Sequence, residues 1–133
     1  MLRNPLGNKT NMKSFDALLE LAKRKSDFDQ DNTWFKGSST YLDAIKKEVD
    51  EVIEEIPKSR NNYLEDELAD VLWNTLNSLL ALEKETGICT ISVLERAVKK
   101  YRQRMAGIEA GVSWEEIKNE QKQALAAETP VND

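Results

Sequence analysis

The chain contains no histidine. That absence removes His-containing zinc sites, Ser-His-Asp triads and the Glu-x-x-His pairs of di-iron bundles. Its one cysteine, Cys89, cannot close an intrachain disulfide, and the setting Ile88-Cys89-Thr90 predicts a reduced, packed thiol. Five glycines and three prolines in 133 residues are too few for a fold of many short strands and tight turns. No apolar run approaches a membrane span, and Met1-Leu2-Arg3-Asn4-Pro5 lacks the apolar core of a signal peptide. The expectation is therefore a cytoplasmic protein with no membrane partner. Positive charge is also in deficit, with 19 Lys and Arg against 24 Asp and Glu and a net charge of −5. Coating a nucleic-acid polymer needs a basic surface, so that class of partner is not expected. A single free nucleotide stays open, because a metal ion can bridge its phosphates to acidic groups.

What remains is 40% apolar and 32% charged residues, enough for one soluble domain with one hydrophobic core. Apolar periodicity predicts an all-α bundle of five helices. The first starts after Ser14, with Phe15, Leu18, Leu19 and Ala22 at helical spacing. Residues 29–38 carry no such period and read as a loop holding Trp34 and Phe35. The second helix, about 39–56, bears the stripe Leu42, Ile45, Val49, Val52, Ile53 and Ile56 and stops at Pro57. The third, about 62–86, opens on a capping-box pattern, Asn62 with Glu65, and ends at Gly87. The fourth starts near Thr90 or Ser92, and the fifth at the capping box Ser113-Trp114-Glu115-Glu116. The organisation that follows is a mobile arm over 1–13, a helical domain over 14–127 and a flexible tail over 128–133.

Helix three is apolar over an unusually wide arc. Leu64, Leu68, Val71, Leu72, Thr75, Leu79 and Leu82 cover one face, while Trp73, Leu76 and Leu80 lie around the side. A helix apolar over more than half its surface is buried from two sides. We expect the second side to be another subunit, making a dimer or tetramer with Trp73, Leu76 or Leu80 in the interface. Cover by helices one and five is the alternative.

Carboxylates carry the chemical signal. Glu48-x-x-Glu51 on helix two and Glu67-x-x-Asp70 on helix three are matched pairs. At about 100° per residue, positions three apart share a face. Glu48, Glu51 and Glu55 fall along one edge of the helix-two stripe, and Glu67, Asp70 and Asn74 flank that of helix three. Packing the stripes together brings both acidic edges to the rim of the core. Four carboxylates there repel one another unless cations are present, and an all-oxygen set suits Mg²⁺ or Mn²⁺. From spacing alone, a metal site and ordinary solvated faces both remain open.

On helix four, Arg96, Lys99, Lys100, Arg102 and Arg104 cluster in an otherwise acidic chain. Lys100 and Arg104 share a face and can contact one triphosphate together; surface ion pairs are the alternative. Trp34 and Phe35 can stack on a nucleobase or plug the end of the bundle.

The run Lys47-Glu48-Val49-Asp50-Glu51-Val52-Ile53-Glu54-Glu55-Ile56, followed by Glu65-Asp66-Glu67-Leu68-Ala69-Asp70-Val71-Leu72, resembles the MazG nucleotide pyrophosphohydrolases. Trp34 with Tyr41-Leu42 upstream, and Lys100-Tyr101-x-x-Arg104 downstream, extend the resemblance over roughly 34–104. Two positions depart from the family pattern: Lys47 replaces its first Glu, and Val98 replaces an Asn before the basic segment. Both bear on which nucleotide is preferred more than on the reaction.

The resemblance implies hydrolysis of a nucleoside triphosphate to monophosphate and pyrophosphate, in the service of nucleotide-pool house-cleaning. Glu48, Glu51, Glu67 and Asp70 would be the catalytic residues and ligands of Mg²⁺, with Mn²⁺ able to substitute. One of them, or Glu55, would activate the water. Lys100, Arg104, Trp34, Asn74, Tyr101 and Lys118 would bind substrate, Lys118 through a Trp114-x-x-x-Lys118 element. Two alternatives are a dUTPase- or dCTPase-like relative with narrow base specificity, and a non-enzymatic helical module of antitoxin or scaffold type.

Overall fold

Amphipathic spacing without internal proline sustains five helices in the computed structural model, which describes residues 9–128, with side chains from residue 13. They are α1 Lys9–Asp29, α2 Ser38–Glu55, α3 Asn61–Thr86, α4 Thr90–Glu109 and α5 Trp114–Glu128. There is no strand among the described residues. None of these helices is long and apolar enough to cross a membrane. The chain divides into two compact units, one up to Thr90 and one from Ile91.

In the first unit α2 and α3 are an antiparallel pair. Pro57 removes a backbone donor, so α2 tightens into a 3₁₀ turn over Ile56–Lys58, and Ser59 reverses the chain in a left-handed conformation (φ 54°). At the far end of the pair, Glu85 of α3 closes the first turn of α2. Its carboxylate accepts from the Ser38 backbone N–H at 2.6 Å and from Ser38 Oγ at 2.7 Å. These hydrogen bonds hold the Glu85 carboxyl below the usual range, as expected for an anion at a helix N-terminus. Gly37 precedes it at φ 87°, and a Cβ there would lie 2.8 Å from Glu85 Oε2. Only glycine meets both conditions.

Helix α1 docks on α3 through Leu19 and Ala22 against Leu76 and Leu80, with Leu18, Trp73 and Leu79 packed around them. This corrects the interface expected for α3, because Leu76 and Leu80 are core residues of the chain itself. The exposed apolar residues of α3 instead come from the face read as its main stripe, with Leu68 at 45% and Leu72 at 52% exposure. Helix α1 covers the Trp73–Leu80 side, a choice of partner that periodicity alone does not make.

Several boundaries also shift. Helix α1 is already formed at Lys9, ahead of Ser14, while positions 1–8 of the expected arm lie outside the described residues. The Asn62–Glu65 capping box does not form, since α3 starts at Asn61 with Arg60 at its N-cap. Cys89 is exposed rather than packed.

In the second unit, α4 and α5 are joined by a short turn through Gly111. Glu116 donates its backbone N–H to Ser113 Oγ at 3.2 Å, so this cap forms as expected. A Cβ on Gly107 would come within 2.3 Å of Ile117 Cδ1, so the missing side chain is what lets α5 approach α4 there. Glu128 ends α5 and pairs with Arg96 at 3.1 Å; the rest of the expected tail, 129–133, lies outside the described residues.

Candidate functional site

The antiparallel α2–α3 pair brings the two acidic edges together. Glu48, Glu67 and Asp70 each present a carboxylate oxygen, all within 4.8 Å of one another. Glu51 is not one of this converging trio, but its charge acts on all three. Burial, then the Glu51 and Glu67 carboxylates beside it, pushes Glu48 up to about 7. Burial followed by Glu51 raises Glu67; burial, then Asp66 and Glu51, raises Asp70. Glu48 Oε2 and Glu67 Oε2 are buried without a hydrogen-bond partner among the described residues. A buried anionic oxygen without a donor is costly. Such oxygens, in an all-carboxylate set of mutually raised acids, fit a hard divalent cation such as Mg²⁺ or Mn²⁺.

Glu55 follows on the same edge of α2, yet it is differently employed. Its two oxygens accept from Arg60 Nε at 2.9 Å and Nη2 at 2.7 Å. The Arg60 guanidinium lowers its pKa. A carboxylate occupied on both oxygens is a poor candidate for the base that activates water.

Asn74 lies one turn beyond Asp70 and donates its side-chain amide to the Asp70 carbonyl at 2.8 Å. Trp34 does not plug the bundle: it is 57% exposed. It meets Tyr41 edge-on at 6.1 Å, with Lys25 Nζ 4.9 Å from its ring centre. Phe35 packs on the other side of Tyr41, at 5.9 Å.

Beneath these rings is a polar cluster that the sequence reading missed. Lys25 donates to Asp29 and, at 2.9 Å, to Tyr41 Oη, and Tyr41 Oη donates to Asp29. Asp29 is buried. Burial works against the Lys25 charge, but Asp29 and Tyr41 outweigh it and raise the Lys25 pKa. Next to the cluster is a cavity of about 170 Å³ between α1, α2 and α3, with Asp29, Phe35, Tyr41, Asn77 and Ala81 in its wall. Asn77, 1% exposed, donates Nδ2 to the Trp73 carbonyl at 2.8 Å. Its Oδ1 is buried without a partner among the described residues. One signal was available for it, a polar Asn77-Ser78 step inside the leucine-rich run of helix three.

The basic candidates belong to the second unit. Lys100 and Arg104 flank the Tyr101 ring, with Nζ 5.7 Å and the guanidinium carbon 5.1 Å from its centre. Arg104 also lies 4.9 Å from the Trp114 ring centre and donates Nε to Gln121 Oε1 at 2.7 Å. Gln121 in turn donates to the Lys100 carbonyl at 3.0 Å. Arg104 therefore ties α5 to α4. Lys118 is half-buried on α5.

A family model, the MazG nucleotide pyrophosphohydrolase domain, matches residues 36–107, more than half of the chain. The match spans all four acids, Lys100 and Arg104, and leaves out Trp34 and Lys118. No curated protein and no solved structure matches the chain.

Proposed function

The chain belongs to the MazG nucleotide pyrophosphohydrolase family, and on that premise we propose that it hydrolyses nucleoside triphosphates, ribo- or deoxyribo-, to monophosphate and pyrophosphate. The observation that carries this reading is the convergence of Glu48, Glu67 and Asp70, with two buried oxygens still lacking a donor.

Glu48, Glu67 and Asp70 would hold Mg²⁺, with Glu51 beside them and Mn²⁺ able to substitute. The ion, when bound, supplies positive charge for the α-phosphate oxygens and lowers the pKa of nearby water. The carboxylate left least engaged by cation accepts the proton of the attacking water, which adds to the α-phosphorus as the α–β anhydride bond breaks. Pyrophosphate leaves with the bonding pair. Lys100 and Arg104 would neutralise charge growing on it, and Trp34 offers an exposed ring for stacking. The role we assign is removal of unwanted or modified triphosphates from the cytoplasmic pool.

The test is pyrophosphate release across canonical and modified (d)NTPs with Mg²⁺ or Mn²⁺. Release from at least one class supports the proposal; release of orthophosphate only, or no turnover with either ion, overturns it.

Arg104→Ala is expected to lower kcat/KM, with a loss of transition-state stabilisation of about 2–4 kcal/mol. Stability should also fall, by about 1 kcal/mol or somewhat more, because two ring contacts and the hydrogen bond to Gln121 are lost. Arg102→Ala should change neither quantity. Equal, small effects of the two substitutions on kcat/KM would remove Arg104 from the site.

We further propose that the protein is a homo-oligomer, a dimer or tetramer. Val49, Ile53, Leu68 and Leu72, all at least two-fifths exposed, are apolar surface for a second copy to cover. Sedimentation at micromolar concentration should exceed the 15.2 kDa monomer mass; a monomer there rules the oligomer out.

A further inference from the structure

On α3 the residues Glu67, Asp70, Asn74, Asn77 and Ala81 follow one another at steps of three and four, so they share one face. Glu48 and Tyr41 likewise share a face of α2. Both rows lead from the carboxylates to the cavity between α1, α2 and α3. Asn77 stands two turns beyond Asp70, about 10 Å along the axis at a rise of 1.5 Å per residue. That is the reach of one sugar and one ring from an α-phosphate held at the carboxylates.

The cavity has the volume and the chemistry for a ring. A roughly 150 Å³ apolar cavity accommodates a single benzene, and this one measures about 170 Å³. Phe35 and Tyr41 supply flat apolar walls. The charged groups around it are already engaged. Asp29 is taken by Lys25 and Tyr41, Glu85 by Ser38, and Lys84 by the Ser26 carbonyl at 3.1 Å. Asn77 Oδ1, by contrast, is buried in the wall with no partner among the described residues. Its amide cannot turn over, because the Trp73 carbonyl only accepts and therefore requires Nδ2 on that side. What Asn77 brings to the cavity wall is an acceptor, and a ligand that satisfies it must bring a donor, such as the N–H on the edge of a nucleobase.

We propose that this cavity receives the base of a pyrimidine nucleotide and that Asn77 selects it by accepting a hydrogen bond from an N–H on its edge. A two-ring purine is larger than the single ring that a cavity of this size accommodates. The inference rests on the reaction proposed above, but binding of the base does not need the carboxylates or a metal. It can therefore be tested with nucleosides, which carry no phosphate.

Calorimetric titration of the whole protein in EDTA should show binding of cytidine or uridine, and none of adenosine or guanosine. Methylating the edge, as in N3-methyluridine or N4,N4-dimethylcytidine, should weaken binding roughly ten- to a hundredfold, the cost of leaving a buried acceptor unmet. Asn77→Leu should abolish discrimination between each nucleoside and its methylated form without lowering the melting temperature. Purine nucleosides binding as well as pyrimidines, or methylated analogues binding as well as their parents, would overturn the proposal, and the analogue arm does not depend on any variant folding. Pyrophosphate release without nucleoside binding would sink the base cavity alone. Nucleoside binding without pyrophosphate release would sink the reaction alone.

Discussion

Glu67→Gln is expected to cut pyrophosphate release by at least about 10³-fold at saturating Mg²⁺, the scale of losing a principal charge-stabilising group. The same substitution should raise, not lower, the melting temperature of the chelated protein. Glu67 sits among Glu48, Glu51 and Asp70, and the pKa values of Glu48, Glu67 and Asp70 are all raised by burial and by neighbouring carboxylates. Removing one charge relieves that repulsion.

The pH dependence has a definite sign. Glu48 titrates near 7 in the folded chain against an ordinary value of 4.5. The folded state therefore binds more protons between these values, and stability in EDTA is highest below about 4.5 as far as this group is concerned. It declines as pH rises towards 7 and is then level. Saturating Mg²⁺ should raise the wild-type melting temperature by several degrees at pH 8, since it binds only the folded state. A Glu67→Gln protein that keeps near-normal turnover, or shows the full Mg²⁺ shift, would exclude Glu67 from the centre.

The second large effect is on stability. Lys25→Met removes the cation from the buried Asp29 carboxylate and leaves Tyr41 alone to donate to it. Stripping one partner from a buried pair costs about 3–5 kcal/mol. Lys25 keeps some solvent access, with 28% of its side chain exposed, so the lower end, about 3 kcal/mol, is expected. That is a large share of the roughly 5–15 kcal/mol available to a domain. The double variant Lys25→Met with Asp29→Asn should recover most of the loss, because no unpaired charge is then buried. The Lys25 pKa is raised from 10.5, so its contribution is complete below that value and vanishes as pH climbs through the folded one. Urea melts in which the single and double variants lose equal stability would show that the pair is not an electrostatic unit.

The five helices were legible because 3.6-residue spacing is a local property, and so were both acidic pairs. Ser113 was readable as a cap for the same reason. The Asn62–Glu65 box failed because the reversal through Pro57 and Ser59, with Arg60 held by Glu55, starts α3 before Asn62. Spacing also put Glu51 on equal terms with Glu48, whereas the converging trio is Glu48, Glu67 and Asp70. What eluded the sequence was set by long-range docking. Asn77 is buried, and Leu76 and Leu80 are core rather than interface, only because α1 lies against that side of α3.

The clasp between Glu85 and Ser38 has a mechanical consequence. Helices α2 and α3 are pinned at both ends, covalently by the Ile56–Lys58 turn and non-covalently by the clasp. The four acids lie between the pins. Their repulsion cannot swing the helices apart like an opening pair of scissors, because neither end is loose. The side chains, rather than the fixed ends, are left free to respond to it, as in a beam fixed at both supports. A cation bound as proposed would then need to draw in carboxylates only, against a backbone already held at both ends.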